Sequence, residues 1–421
     1  MSRRVVLGGA AAGVAGVAGS WLVPPGASWA GEKFSDTRID AVASRWDRRL
    51  IELRRDLHRH PEPAGEERRT ADVVARWLRA AGLTVTTGVG GHGVVGVLTG
   101  ARPGRTVAYR ADMDAVLPNG QLGGGPDTAH VCGHDLHTTI GVGVAVVLAR
   151  LRERLAGRVM FVFQPAEEAL AGAAAMLADG VFDRVRPAEI HALHCGPWPV
   201  GKIMVMPGKG MPGLDRGSVS LTGPDALARA ERLADGINAL GTVARPLTPA
   251  DSERFVADLE TPHGPLERFV VTSADASESA GGAEVRVSSR CWPLNRYAEV
   301  REAVSRLARS VGAASVAFPD APFPGLATPE RDARRLQQYL RRMVGPDRTG
   351  TLYASIPFNG EDFGLFLGRM PGTYSFLGVR TPGAGIMTSY PHVGTFDPDE
   401  RAIGLGVRAM AGWLAERAGG H

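Results

Sequence analysis

Lysine is almost missing from this 421-residue chain. It stands only at positions 33, 202 and 209, and every other cationic side chain among the 48 basic residues is arginine. Nor does the basic charge cluster, and the formal balance is only +4. A nucleic-acid-binding surface needs a concentrated basic footprint, so that class is excluded. Cysteine is equally sparse. Cys132, Cys195 and Cys291 cannot build a disulfide scaffold, and the odd count leaves at least one thiol for another task. Cys195 and Cys291 read as small buried hydrophobes. Glycine (55) and proline (29) together make up about a fifth of the chain, below the roughly 25–30% of low-complexity disorder. What remains is an ordinary globular composition, 44% hydrophobic and 22% charged. At about 100–200 residues per domain it predicts two or three domains.

The N-terminus reads as an address. Arg3-Arg4 precede an uncharged, Gly- and Ala-rich stretch from Val5 to Val23, and Ser28-Trp29-Ala30 offers small residues at a cleavage site. Together they predict a twin-arginine export signal over residues 1–30, delivering a folded protein to the periplasm or beyond. The alternative is a membrane anchor, but so much glycine makes a poor span. No stable anchor is expected after cleavage.

Periodicity then predicts one helix over 38–58, ended by His60-Pro61, and a second over 66–81. Apolar β-branched runs at 94–98, 106–109, 159–163 and 190–194 alternate with helical patterns such as 138–151. This is the signature of an α/β domain with a mostly parallel sheet. From Asp215 the order changes to βαββαβ, a ferredoxin-like α+β unit. Within it, 241–268 reads as a long polar loop. After Pro329 the α/β pattern returns. The expected organisation is a catalytic domain in two pieces, 38–214 and 314–421, around an inserted lid at 215–313.

Polar clusters follow several predicted strands. Asp112 and Asp114 come after 106–109, Glu167-Glu168 after 159–163, His194 closes 190–194, and His392 follows 374–379. In open α/β sheets the ligand crevice lies at the carboxyl ends of strands, so these groups should converge there. Cys132 and His134 sit just before a helix. Taken singly each signal is weak; their joint placement at strand ends is what carries weight. Cysteine, histidine and glutamate together suit zinc, manganese, cobalt or nickel, and a neighbouring free carboxylate suits metal-assisted hydrolysis.

Five segments occur in order: Leu57-His58-Arg-His60-Pro61-Glu62, Arg110-Ala-Asp112-Met-Asp114-Ala, His130-Val-Cys132-Gly-His134-Asp135-Leu-His137-Thr, Phe163-Gln-Pro-Ala-Glu167-Glu168 and Gly360-Glu-Asp-Phe363. Over about residues 45–415 the chain closely resembles the amidohydrolase branch of metallopeptidase family twenty, whose members look like hippurate hydrolases, N-acyl-amino-acid amidohydrolases and auxin-conjugate hydrolases. The resemblance implies an aminopeptidase-like catalytic domain holding two divalent ions (manganese or zinc, with cobalt or nickel as alternatives). It also implies a lid through which the protein forms a homodimer. It assigns metal ligation to Cys132, His134, Glu168, His194 and His392, with Cys132 bridging. Glu167 becomes the general base, and Asp112 and Asp114 orient ligands.

The chain departs from the family at three places, two of them in the lid. The usual Gly-His-Ala-Ala segment after its first strand is replaced by Leu221-Thr-Gly-Pro224. The segment carrying a substrate-binding Asn is replaced by Ala276–Gly281, and Cys195 stands where an Asn usually follows the ligand His. Arg290 does match a substrate-carboxylate Arg, and His263 is a candidate substitute for the missing His. The expected function is an exported dinuclear amidohydrolase acting on small N-acyl amino acids. The alternatives are a catalytically impaired ligand-binding relative and an exopeptidase on short peptides.

Overall fold

The computed structural model describes residues 37–420; the export signal expected over 1–30 lies outside the described residues. In chain order its elements are α1 (Thr37–Ala43), α2 (Asp47–His58), α3 (Arg68–Ala80), β1 (Thr84–Val89), β2 (Gly93–Thr99), β3 (Arg102–Asp112), α4 (His134–Arg150), β4 (Ala156–Gln164), α5 (Gly172–Ala178), β5 (Ile190–Pro199), β6 (Ile203–Val205), β7 (Gly210–Met211), β8 (Asp215–Thr222) and α6 (Ala226–Asn238). There follow α7 (Pro249–Leu259), β9 (Phe269–Ser279), β10 (Gly282–Trp292), α8 (Tyr297–Ser310), β11 (Ser315–Ala317), β12 (Leu326–Ala327), α9 (Glu330–Met343), β13 (Thr349–Thr351), α10 (Gly364–Leu367), β14 (Gly372–Arg380) and α11 (Arg401–Ala418). No described helix is long and apolar enough to cross a membrane.

The main sheet has eight strands in the order β1-β2-β4-β3-β5-β14-β6-β13. Its centre, β4-β3-β5-β14, is parallel, while β1, β2 and the β14–β6 pair run antiparallel. Parallel strands covered on both faces are buried throughout, and Val159–Phe163 accordingly lies wholly in the core apart from water. Helix α4 runs buried for nearly its whole length. Gly143 permits this depth, because a Cβ there would lie 2.5 Å from Val407 and 2.8 Å from Leu50.

Three expectations need correcting. The single helix over 38–58 is two. Ser44 donates its hydroxyl back to the Asp40 carbonyl (2.8 Å), a local bond that competes with helix continuation. The guanidinium of Arg408 then gathers Asp40, Ser44 and Asp47 from both sides of the break. Helix α4 begins at His134 and not Thr138. Third, the polar loop 241–268 contains α7. Pro249 occupies its first turn, Thr248 Oγ1 accepts from the Asp251 amide (3.1 Å), and the Asp251 carboxylate accepts from the Thr248 amide (3.3 Å). That reciprocal cap satisfies donors the first turn would otherwise leave open.

Strands β8–β11 form a separate antiparallel sheet in the order β11-β8-β10-β9. Alternate residues Val219, Leu221, Val285 and Val287 face α6 and α8 to make a second core, as period-two patterning requires. Between the two sheets α7 turns Phe255, Val256 and Leu259 inward. Its end is anchored by Glu260, which accepts from the Trp198 indole and the Lys202 ammonium, both at 2.8 Å.

Candidate metal centre

The carboxyl ends of β3 and β4, the middle of β5 and the start of α4 meet at one place; His194 does not close its strand as expected, because β5 pairs with β14 onward to Pro199. Gly133 makes the meeting possible. It adopts φ +87°, and a Cβ there would lie 2.5 Å from the Cys195 sulfur. Only glycine takes that conformation and that approach without strain. Cys132 and His134, on either side of it, can therefore both turn inward. The thiol of Cys195 points elsewhere, donating to the Cys132 carbonyl (3.0 Å).

Three imidazoles share one arrangement. His134 Nδ1 lies 3.1 Å from Asp114 Oδ1, His194 Nδ1 2.7 Å from the Cys195 carbonyl, and His392 Nδ1 2.9 Å from the Gly120 carbonyl. Each acceptor fixes the proton on Nδ1 and leaves Nε2 with a lone pair, the form a metal ligand takes. The free nitrogens converge. His194 Nε2 lies 3.5 Å from Cys132 Sγ, and His392 Nε2 and His134 Nε2 lie 3.5 Å and 3.7 Å from Glu168 Oε1. Donors bound at 2.0–2.3 Å around a tetrahedral cation stand about 3.3–3.8 Å apart, so these separations suit shared ions. His134 Nε2 and Glu168 Oε1 are buried with no hydrogen-bond partner. Buried polar atoms are rarely left so, and a cation would satisfy both. The residues present therefore fit a metal.

The electrostatics agree. Burial opposes a charge on His134, yet Asp112, Asp114 and Glu168 outweigh it and raise this imidazole to about 10, so without a cation Nε2 takes up a proton, in the place a metal ion would occupy. Burial first, then Glu361 and Glu168, push Glu167 well above the carboxylate range. Burial and Glu168 do the same to the Cys132 thiol. A dry volume crowded with acidic groups calls for positive charge.

Asp114 positions His134 and Glu168 at once, since its second oxygen accepts from the Glu168 amide at 2.8 Å. Asp112 serves the wall behind. It takes Arg110 at 2.6 Å and His137 Nδ1 at 2.6 Å. His137 Nε2 in turn accepts the Cys195 amide proton at 2.9 Å, so both its ring nitrogens are used and it buttresses the site. The motif reading left His137, Arg110 and Glu67 without roles. Arg110 also donates to Gln164 (2.9 Å), Glu361 (2.9 Å) and Asp362 (3.3 Å), all buried. Glu67 holds the strained turn at Ala166 (φ +52°) by accepting its amide at 2.8 Å. These three stand in quoted motifs or beside them, but nothing in spacing alone says which carboxylate each meets.

A cavity of about 510 Å³ opens from these residues, lined by Cys132, Glu167, Glu168, His194 and His392 and by Arg290. His263 is not brought to it. Its side chain is 88% exposed and lies 3.6 Å from Glu267, so the candidate substitute for the missing lid His is corrected to a surface residue.

A family model described as peptidase family M20/M25/M40 matches residues 108–416. Among curated proteins, the chain is 30% identical over 388 residues to thermostable carboxypeptidase 1 of Saccharolobus solfataricus, covering 86% of this chain and 93% of that one. It is 32% identical over 376 residues to the N-acetylcysteine deacetylase of Bacillus subtilis, covering 86% and 95%. Among solved structures, a dinuclear metal-binding M20 peptidase of Bacillus subtilis superposes with a TM-score of 0.68 at 27% identity, covering 89% of this chain and 99% of that one.

Proposed function

The chain belongs to the peptidase family M20/M25/M40, and as a metal-dependent amide-cleaving enzyme within it, we propose, it is a dinuclear amidohydrolase of N-acyl amino acids and similar small conjugates. The observation that carries the reading is the shared arrangement of His134, His194 and His392. Each has Nδ1 tied back and Nε2 turned toward Glu168 or Cys132, and a buried Glu167 stands beside them with Oε2 3.8 Å from His134 Nε2. Cys132, His134, Glu168, His194 and His392 would hold two divalent ions, since five donors exceed one tetrahedral site; manganese or zinc suits this mixed set. When bound, such ions polarise the scissile carbonyl and acidify water. Glu167 accepts the proton of the attacking water and passes it to the leaving amine nitrogen. Burial and Glu361 raise its basicity in the direction a general base near neutrality needs. Asp112 and Asp114 keep the imidazoles in register. The four-stranded unit of β8–β11 is read as a lid and dimer surface, and residues 1–30 as a cleaved export signal.

Elemental analysis and a substrate panel test this together. Metal-replete protein should hold about two ions per chain and cleave acyl amino acids. One ion or none would overturn the dinuclear reading. Cleavage confined to unblocked dipeptides would move the protein to the exopeptidases.

A further inference from the structure

The same cavity is lined by three arginines, Arg216, Arg245 and Arg290. They come from three elements. Arg216 lies on β8 and Arg290 on β10, where Ser288 pairs with Arg216. Arg290, two residues on, is therefore its diagonal neighbour on the same sheet face, a spacing of about 7–8 Å. Arg245 approaches from the segment before α7, stacked over the Phe358 ring at 5.1 Å. Arg290 lies against Gly360, where a Cβ would come within 2.9 Å of its guanidinium.

None of the three meets a carboxylate among the described residues. Arg245 reaches only the Phe358 carbonyl and Arg290 only the Gly213 carbonyl, each at a long 3.5 Å. Burial draws both below the usual guanidinium range, and at Arg290 the like charges of Arg216 and Arg245 act in the same direction. The acids of the cavity cannot answer them. Glu361 is taken by Arg110 and by the Tyr374 hydroxyl at 2.7 Å, and Glu167 and Glu168 stand with the metal ligands. A guanidinium remains charged at any ordinary pH, and several such charges crowded together without counter-charge cost free energy that an arriving anion relieves.

One carboxylate engages one guanidinium as a fork, which leaves two unanswered. Resting on the amidohydrolase reading above, we infer that this cavity selects amides whose amine half carries two carboxylates, that is, N-acyl derivatives of acidic amino acids. The acyl half is left the apolar lining that Trp198, Phe255 and Phe376 supply.

The test uses the full metal-loaded enzyme and a series with one acyl group: benzoyl-glutamate, benzoyl-aspartate, benzoyl-glutamine and benzoyl-leucine. The kcat/KM for benzoyl-glutamate should exceed that for the isosteric benzoyl-glutamine by about 10–100-fold, the worth of one charged hydrogen-bonded contact. The excess should shrink with added salt. Arg216→Gln and Arg245→Gln should each pull the ratio toward one. A binding arm separates this inference from the reaction itself. By calorimetry on the metal-loaded Glu167→Gln variant, glutarate should bind at least about tenfold more tightly than butyrate. If glutarate wins but no acyl amino acid is cleaved, the reaction assignment fails and the dianion site stands. Equal binding of glutarate and butyrate, a benzoyl-glutamate to benzoyl-glutamine ratio near one, or a ratio untouched by both substitutions overturns it.

Discussion

The two walls of the cavity are built to opposite rules. On the main-sheet wall each ligand imidazole has its outer nitrogen tied to a carboxylate or carbonyl, and behind them Arg110 serves four buried partners. On the other wall Arg216 and Arg290, from the small sheet, and Arg245, from the segment before α7, have no ionic partner among the described residues. The first wall is organised before anything binds, as groups that do chemistry must be, because reorganising them during reaction would raise the barrier. The second is left incomplete, and an incomplete wall can discriminate among ligands. Two of the departures from the family pattern, at 221–224 and 276–281, fall on strands of the small sheet or their ends, and the third, Cys195, lies on β5 of the main sheet. Chemistry and recognition are thus carried by different sheets.

Substitutions on the first wall should have the largest effects, and they should split by role. Glu167→Gln keeps the shape of the side chain but cannot take a proton, so kcat should fall by about 10²–10⁴ while two ions stay bound. Glu168→Gln removes a charged ligand and should lose metal first. Cys132→Ala should lose metal too, whereas Cys291→Ala, in the second core, should not. Steady-state rates beside elemental analysis decide this. Metal lost from Glu167→Gln and kept in Glu168→Gln would exchange the two roles.

Arginine is the sharpest probe of the comparison, because both walls use it. Arg110→Met leaves Asp112, Glu361 and Asp362 as buried acids without a cation. Breaking such a network typically costs about 3–5 kcal/mol, and urea unfolding of metal-free protein should show it. Arg216→Gln removes an unpaired, solvent-reaching charge and should change stability by less than about 0.5 kcal/mol. Equal losses at the two positions would mean that the small-sheet arginines hold the fold together and do not wait for a ligand.

Much of this was legible in the sequence. The alternating β-branched runs gave the parallel centre, because strands buried on both faces must be continuously apolar. The convergence of Asp112 and Glu168 followed from their places at or just past strand ends, whereas His194 joins them from the middle of β5, whose run to Pro199 the apolar pattern did not reveal. Three other things were not legible, each for a physical reason. The break at Ser44 depends on Arg408, more than 350 residues away. The buttress at His137 depends on which backbone amide its second nitrogen meets. Helix α7 was signalled by Thr248-Pro249-Ala-Asp251, a capping pattern, yet its apolar face is only Phe255, Val256 and Leu259, too little for periodicity to stand out in a polar stretch.

A smaller effect concerns a histidine behind the metal wall. His191 is fully buried against Trp413, with Nδ1 2.8 Å from the Thr373 hydroxyl. Burial, helped by the Arg417 cation, lowers it from 6.5 to about 3. The sign follows directly. Unfolded chain takes up a proton below 6.5 and folded chain does not until about 3, so stability complete above pH 6.5 is lost progressively as pH falls toward 3. One proton corresponds to about 1.4 kcal/mol per pH unit within that window. His191→Gln should flatten the stability curve of metal-free protein between pH 6 and 4 by up to that slope. An unchanged slope would show that His191 already titrates in the folded chain.

The most local effect should come from the edge of the cavity that neither sheet supplies. Helix α7 carries Phe255 and Leu259 to the apolar side of the site, and its first turn is closed by Thr248. Thr248 is exposed, so Thr248→Ala removes a cap and little packing. Losing such a cap costs about 1 kcal/mol, and the cost falls on α7 alone, because no other element depends on that hydroxyl. Amide exchange within 249–259 should quicken by about fivefold, as that energy dictates, while exchange in α4 stays as it was. KM should rise modestly for substrates with large acyl groups, and kcat should barely move, since no metal ligand shifts. Thr248→Ser, which keeps the oxygen, should restore both. If exchange in α7 does not respond, its stability comes from the far end, where Glu260 holds Trp198 and Lys202 and the Leu259 carbonyl accepts the Tyr353 amide at 2.9 Å. In that case Glu260→Gln, and not the cap, should loosen this edge of the cavity.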